Sequence, residues 1–280
     1  RAADPSDGTG SRSATGRGIV GGVFGFVLVM ELVLVALAGT DIPFHDQWNI
    51  EGQWLYPRWI DDSVGLRGLV QPFNEHRIFW THLLNLALFS VNGQWDPLVQ
   101  CVAIAFLRAA CAAGIASIFS AAFVGVARWM MAAIVAIAFL PHLAWHTVLW
   151  GIQSHSYFVL GFSGVALALL GTGSPSPVRR AGGVAVGIAA LFAMGPGGLV
   201  PVALIGLWVL RAIERRNVDR EAVGSLAVSG ALLAAALLLR VDNHGTAEWR
   251  PASAGEFLVA AGRALAWPHV GSPIAALVLN

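Results

Sequence analysis

The sequence predicts an all-α membrane protein, a polytopic transmembrane helix bundle of about seven or eight spans with interfacial helices in its first outer loop. Three observations carry that expectation. Charged residues make up 12% of the chain, half the roughly 25% of a soluble domain. Apolar residues come in runs of about 18 or more, long enough to cross a bilayer. The arginines collect on one side if those runs alternate in direction.

Taken in order, residues 1–17 read as a disordered polar cytoplasmic tail and 18–280 as the membrane domain. The first span covers about 18–39. It is too long for a signal-peptide h-region, and no A-x-A-like site follows it. The first outer loop, 40–96, opens with a tryptophan-rich, acid-bearing insert, DIPFHDQWNIEGQWLYPRWIDDSVGLRGLVQPFNEHR. Residues 78–92, IFWTHLLNLALFSVN, are apolar but too short to span, so they read as an interfacial helix ended by Asn92-Gly93. Further spans are expected near 97–125, 129–148, 157–172, 181–194, 197–213 and 223–239. An amphipathic stretch at 254–268 and the start of an eighth span near 271 follow. The chain opens without Met and ends on IAALVLN part-way into that span, so a C-terminally truncated fragment is expected.

Arg12, Arg17, Arg128, Arg179, Arg180, Arg211, Arg215, Arg216 and Arg220 then share one face, which the positive-inside rule makes cytoplasmic. The N-terminus is placed there, and the location is the inner or plasma membrane, crossed several times. The insert, the turn at 150–157, the break at 195–198 and the loop 240–270 all face outward. Net charge is +1, with 17 arginines and no lysine, so bulk charge gives no footprint for nucleic acid. Cys101 and Cys111 sit ten residues apart on one helix, about 15 Å, too far to pair.

The outer face carries the chemistry. Asp46, in His45-Asp46-Gln47-Trp48, is a carboxylate held among aromatics at the membrane surface, where partial desolvation favours a general base. Asp61-Asp62 reads as a solvated turn. Asn74-Glu75-His76-Arg77 precedes the interfacial helix, and Arg77 with His76 suits a phosphate. Within the spans, Glu31 and Arg108 lie at matching depth and are expected to pair as a structural clamp. His142 and His146 stand i, i+4 without a further ligand, which favours polar packing over a metal. Gln153 and His155, at the outer end of the third span, are placed to line a sugar site.

A first span, an acid soon after it, a long outer loop, and the stretches His45–Trp48, Pro72–Ile78, Ala87–Gly93 and Leu149–Gln153 together resemble the GT-C membrane glycosyltransferases. Those include the polyprenyl-phosphate-sugar-dependent mannosyl- and aminoarabinose-transferase type. Poorly characterised bacterial members are the most similar, and Gly195-Pro196-Gly197-Gly198 matches a family Gly-Pro turn. The resemblance implies a GT-C-like fold over about 18–270. It implies Asp46 as the catalytic acid of the first loop, with Asp41 in reserve. Adjacent acids are common there in the family, whereas this chain has His45-Asp46-Gln47. It also implies a donor and lipid-phosphate site among His45, Glu75, His76, Arg77, Gln153 and His155. The implied partners are a lipid-linked sugar donor, membrane lipids and a glycan, lipid or protein acceptor. No cofactor is implied, and a divalent cation is left open. Two rival readings are a transporter, suggested by the broken span and the Glu31/Arg108 charges, and a non-catalytic assembly protein.

Overall fold

The computed structural model describes residues 7–140, 145–172, 176–216, 219–241 and 251–266. The chain divides into two units, Arg1–Arg240 and Val241–Asn280. Among the described residues every element is helical, and the only bridge is the isolated pair Phe73 and His76.

In the first unit, α1 (Asp7–Ala38) packs along α5 (Pro97–Ala122), and both touch α6 (Gly125–Ala138). The reason is legible at residue level. Ile19, Val23, Val27, Glu31 and Val35 recur every four residues and are all buried, as one face of a helix requires. Ile19, Val23 and Val27 meet Ala109, Ala112 and Ala116 of α5, whose small side chains let the helices approach closely. A second bundle joins α8 (Ser154–Leu170), α9 (Pro177–Leu191), α10 (Leu199–Arg215) and α11 (Arg220–Leu238) around Ala166, Leu170, Ala190, Leu204 and Leu232. Contacts of α8 with α5 connect the two groups.

Helix starts follow capping chemistry. Asp96 accepts from the Leu98 and Val99 amides ahead of Pro97. Ser176 and Asp219 cap α9 and α11 in the same way. Helix α1 begins at Asp7, so most of the segment expected to be a disordered tail is helical. No proline follows Pro5 in that stretch, and extending an existing helix avoids a second nucleation.

Among the described residues, five helices are long and apolar enough to cross a membrane: Thr15–Ala38, Pro97–Ala122, Gly151–Leu170, Gly195–Arg215 and Arg220–Leu238. The protein is therefore a multi-pass membrane helix bundle. Helix α6, with 14 residues, and α9, with 15, fall short of that length. Pro141 and His142 lie outside the described residues, as does the start of the eighth span expected near 271. The short helix expected at 78–92 is α4, Phe79–Asn92, closed by Gly93 at φ 73°. The break at Gly195–Gly198 is a 3-10 turn between α9 and α10, with Gly197 set directly against the Ala190 carbonyl. It joins two helices rather than interrupting one.

The segment between α1 and α5 is folded in its own right. A π-helix, Trp48–Leu55, runs into α2 (Tyr56–Ile60), followed by α3 (Leu66–Leu69) and α4. Leu55, Tyr56 and Leu86 form a small core with Trp54, Phe89 and Trp95 around them. Ile50, Ile78 and Ile152 form another, which fastens the insert to the start of α8. In the second unit, the segment expected to be amphipathic forms α12, Ala254–Ala266.

Candidate functional site

Of the stretches singled out in the sequence, His45–Trp48, Asn74–Arg77, Leu149–Gln153 and Gly195–Gly198 are linked by contacts. The turn Phe44–Gln47 lies against Trp150, with ring centroids 6.0 Å from Phe44 and 5.8 Å from His45. His76 stands 6.5 Å from His155, ring to ring. It also packs so closely on Gly195 that a Cβ there would fall 3.0 Å from Nδ1.

Two of these turns are built on a left-handed residue, His45 at φ 47° and Asn74 at φ 49°. Such a conformation is uncommon outside glycine and is best tolerated by Asn, Asp and His. The second turn is closed by reciprocal amide–carbonyl bonds between Phe73 and His76, of 2.8 and 3.0 Å. The first is held by the Gln47 side chain, whose Oε1 accepts from the Phe44 amide at 3.1 Å.

Asp46 is half-buried at this turn. Its backbone carbonyl accepts from Ile50 at 2.8 Å, while its carboxylate has no hydrogen-bond or ion-pair partner among the described residues. Asp41 is exposed. His76 Nε2 lies 3.7 Å from Glu75 Oε1. His76 Nδ1 and Trp150 Nε1 are both buried without a partner, and such groups cost about 1–3 kcal/mol each until something satisfies them. His155 Nδ1 is 2.7 Å from the Ile152 carbonyl, and Gln153 accepts from Ser156 at 3.2 Å.

Arg77 is used differently from the expectation. Its Nη1 donates to the Val70 carbonyl at 2.8 Å and its Nε to the Leu239 carbonyl at 3.3 Å. Two of its donors are thereby committed to tying the insert to the end of α11. It forms no ion pair with Asp46.

The residue that sequence reasoning passed over is Glu51. It is fully buried on the π-helix and accepts from five side chains. Asn85 Nδ2 reaches Oε1 at 2.8 Å. Gln100 Nε2, Trp95 Nε1, Gln47 Nε2 and the Tyr56 hydroxyl reach Oε2 at 2.7, 2.8, 3.4 and 3.4 Å. Burial pushes its carboxyl up to about 7, and these donors pull the other way. The Tyr56 hydroxyl is pushed up by its own burial and by the Glu51 charge. A nearby histidine, His82, is pushed down by burial. Gln47 also donates to Gln100 at 2.7 Å, and Gly151 lies directly over both side chains, where any Cβ would collide. The sequence held a signal for this hub. Gln47, Glu51 and Leu55 form a four-residue stripe, and Asn85 and Gln100 are polar residues inside apolar helices.

Within the bundle, Arg108 Nε stands 2.7 Å from Glu31 Oε1, both side chains being buried. The Arg108 N–H groups are directed at the Phe139 and Leu140 carbonyls and the Thr147 and Tyr157 hydroxyls. The attraction to Glu31 is therefore Coulombic, with no donor aligned on either carboxylate oxygen. His146 is exposed, and its expected companion His142 lies outside the described residues. No group of three potential metal ligands comes together among the described residues.

Comparison with known protein families, characterised proteins and solved structures finds no match to this chain.

Proposed function

We propose that the protein is a membrane glycosyltransferase of GT-C-like architecture that moves a sugar from a polyprenyl-phosphate donor to an acceptor on the non-cytoplasmic face. The observation that carries this reading is that His45 lies against Trp150 while His76 lies against His155 and Gly195, so the His45–Trp48, Asn74–Arg77, Leu149–Gln153 and Gly195–Gly198 stretches are linked by contacts, and the first of them bears the unpartnered carboxylate of Asp46. In this reading α6 and α9 complete about seven crossings, and the N-terminus is cytoplasmic.

Asp46 takes the proton from the acceptor hydroxyl. The acceptor oxygen attacks the anomeric carbon, the bond from that carbon to the lipid phosphate oxygen breaks, and polyprenyl phosphate departs with inversion. His76, whose Nδ1 has no partner, is better placed than Arg77 to donate to the departing phosphate. A lipid tail has a path beside α4. Grooves of about 590 and 270 Å³ share Ala185 and Ile188 of α9, and the smaller reaches Val70, Phe79 and Trp80.

The test is sugar transfer from polyprenyl-phosphate donors by the full-length protein in detergent, wild type beside Asp46→Asn. A loss of about 100-fold or more in a folded variant that still binds donor is expected. Transfer that survives in Asp46→Asn removes Asp46 as the base, and a wild type inert with every donor overturns the reading.

A further inference from the structure

Glu51 has no place in the chemistry above, yet its carboxylate is the best-connected side-chain group in the insert. Its partners come from five segments: Gln47 from the turn, Tyr56 from α2, Asn85 from α4, Trp95 from the link to α5, and Gln100 from α5. Two of them also make the joint with the other half of the site. Gln47 bonds to Gln100, and the pair forms the surface on which Gly151 rests without room for a side chain. Through its Oε1, Gln47 holds the Phe44 amide and so closes the turn on which Asp46 stands.

We propose that Glu51 is the positioning residue of this cluster. By holding Gln47 and Gln100 together, its buried carboxylate seats the Phe44–Gln47 turn against the Trp150–Gln153 stretch and fixes where Asp46 stands. The consequence for transfer rests on Asp46 being the base, whereas the seating does not.

An acceptor is what this position requires. Leucine at 51 would leave five donors facing an apolar group, while glutamine would keep one acceptor oxygen for the nearest of them. The titratable neighbours are Tyr56 on α2, His82 on α4, and Asp96 and Cys101 at the start of α5. Among the described residues no cation bonds to Glu51. Burial favours the protonated carboxyl in the seated state. Seating is therefore tightest at acid pH and weakens as pH rises from about 4.5 towards about 7. His82, held neutral by burial, acts in the opposite direction below its usual range.

The experiment is hydrogen–deuterium exchange on the full-length protein in detergent, corrected for intrinsic rates. Wild type is compared with Glu51→Leu, Glu51→Gln and Asp46→Asn. Glu51→Leu is expected to speed exchange about tenfold or more in peptides 44–56 and 148–155, while 101–116 stays protected. Glu51→Gln should keep most of that protection. It should also lose the weakening with rising pH expected of wild type, leaving only the His82 contribution. Asp46→Asn should match wild type.

If Glu51→Leu does not fold, Gln47→Leu removes the bonds to Phe44, Glu51 and Gln100 while leaving the other four donors to Glu51, and should loosen 44–47 and 148–155 alone. Unchanged protection in the leucine variants, loss spread evenly over the bundle, or the same pH dependence in Glu51→Gln would overturn the proposal. In transfer assays Glu51→Leu should lower kcat with the donor KM unchanged, and Glu51→Gln should restore kcat. A wild type without transfer overturns the proposed function, and the exchange result then decides this inference by itself.

Discussion

Among the described residues, two glutamates are completely buried, and they are stabilised by opposite means. Glu31, inside the bundle, faces one arginine at 2.7 Å and has no aligned hydrogen-bond donor. Glu51, in the insert, has five neutral donors and, among the described residues, no cation. An ion pair concentrates the compensation in one partner, so losing that partner is severe. A web of donors spreads it, so each arm is expendable while the acceptor is not. The bundle uses the first solution, where one ion pair is set between two helices that already pack along their length. The insert uses the second, where five segments must be gathered to one point.

The comparison breaks most visibly at Arg108. Arg108→Met leaves Glu31 buried and unpaired and strips the Phe139 and Leu140 carbonyls of their donor. A loss of about 3–5 kcal/mol is expected from thermal or denaturant unfolding in detergent. A loss below about 1 kcal/mol would mean that Glu31 simply takes a proton at no cost.

Glu51→Leu should come next, at about 2–4 kcal/mol, because it orphans donors that sit far from water. Removing one arm, as in Asn85→Leu, should cost only about 1 kcal/mol. If one arm costs as much as the hub, the donors are not sharing the load.

The pH response sharpens the contrast further. A carboxyl raised from 4.5 to about 7 stabilises the folded state below its unfolded value. That contribution is lost as pH rises through the folded value, up to about 3 kcal/mol at 1.36 kcal/mol per pKa unit. Glu51→Gln should abolish this difference. The clean measurement is therefore wild-type minus variant stability from pH 4.5 to 8, which subtracts the opposing contribution of His82. A difference that grows with pH would reverse the assignment.

The smallest expected effect is Asn74→Gly, which relieves a left-handed residue at φ 49°. It should change stability by less than about 1 kcal/mol, since the relief is offset by a freer unfolded chain.

The bundle was more legible in the sequence than the insert. The stripe from Ile19 to Val35 already places Glu31 on the buried face, and depth alone pairs it with Arg108. Both partners lie on long regular helices, where periodicity converts directly into position. The Glu51 hub escaped because its donors are scattered from 47 to 100 and meet only through tertiary folding. The same is true of Arg77. Its chemistry suits phosphate, and nothing local announces that Val70 and Leu239 present carbonyls to it. The convergence of the short motifs was anticipated only as a shared face, and their mutual contacts depend on turns built on His45 and Asn74.

The π-helix from Trp48 to Leu55 has one last consequence. A π-helix holds one residue more than the α-helical turn it replaces. If the segment relaxed to α-helix with all its residues kept, each would turn by about 100° rather than by the smaller step of a π-helix, and everything before it would rotate. The turn with Asp46 would then swing away from Trp150, although every residue of the site was still present. In this stretch the winding of the backbone sets the direction of the turn, and a chain that coiled differently here would lose its aim before it lost any chemistry.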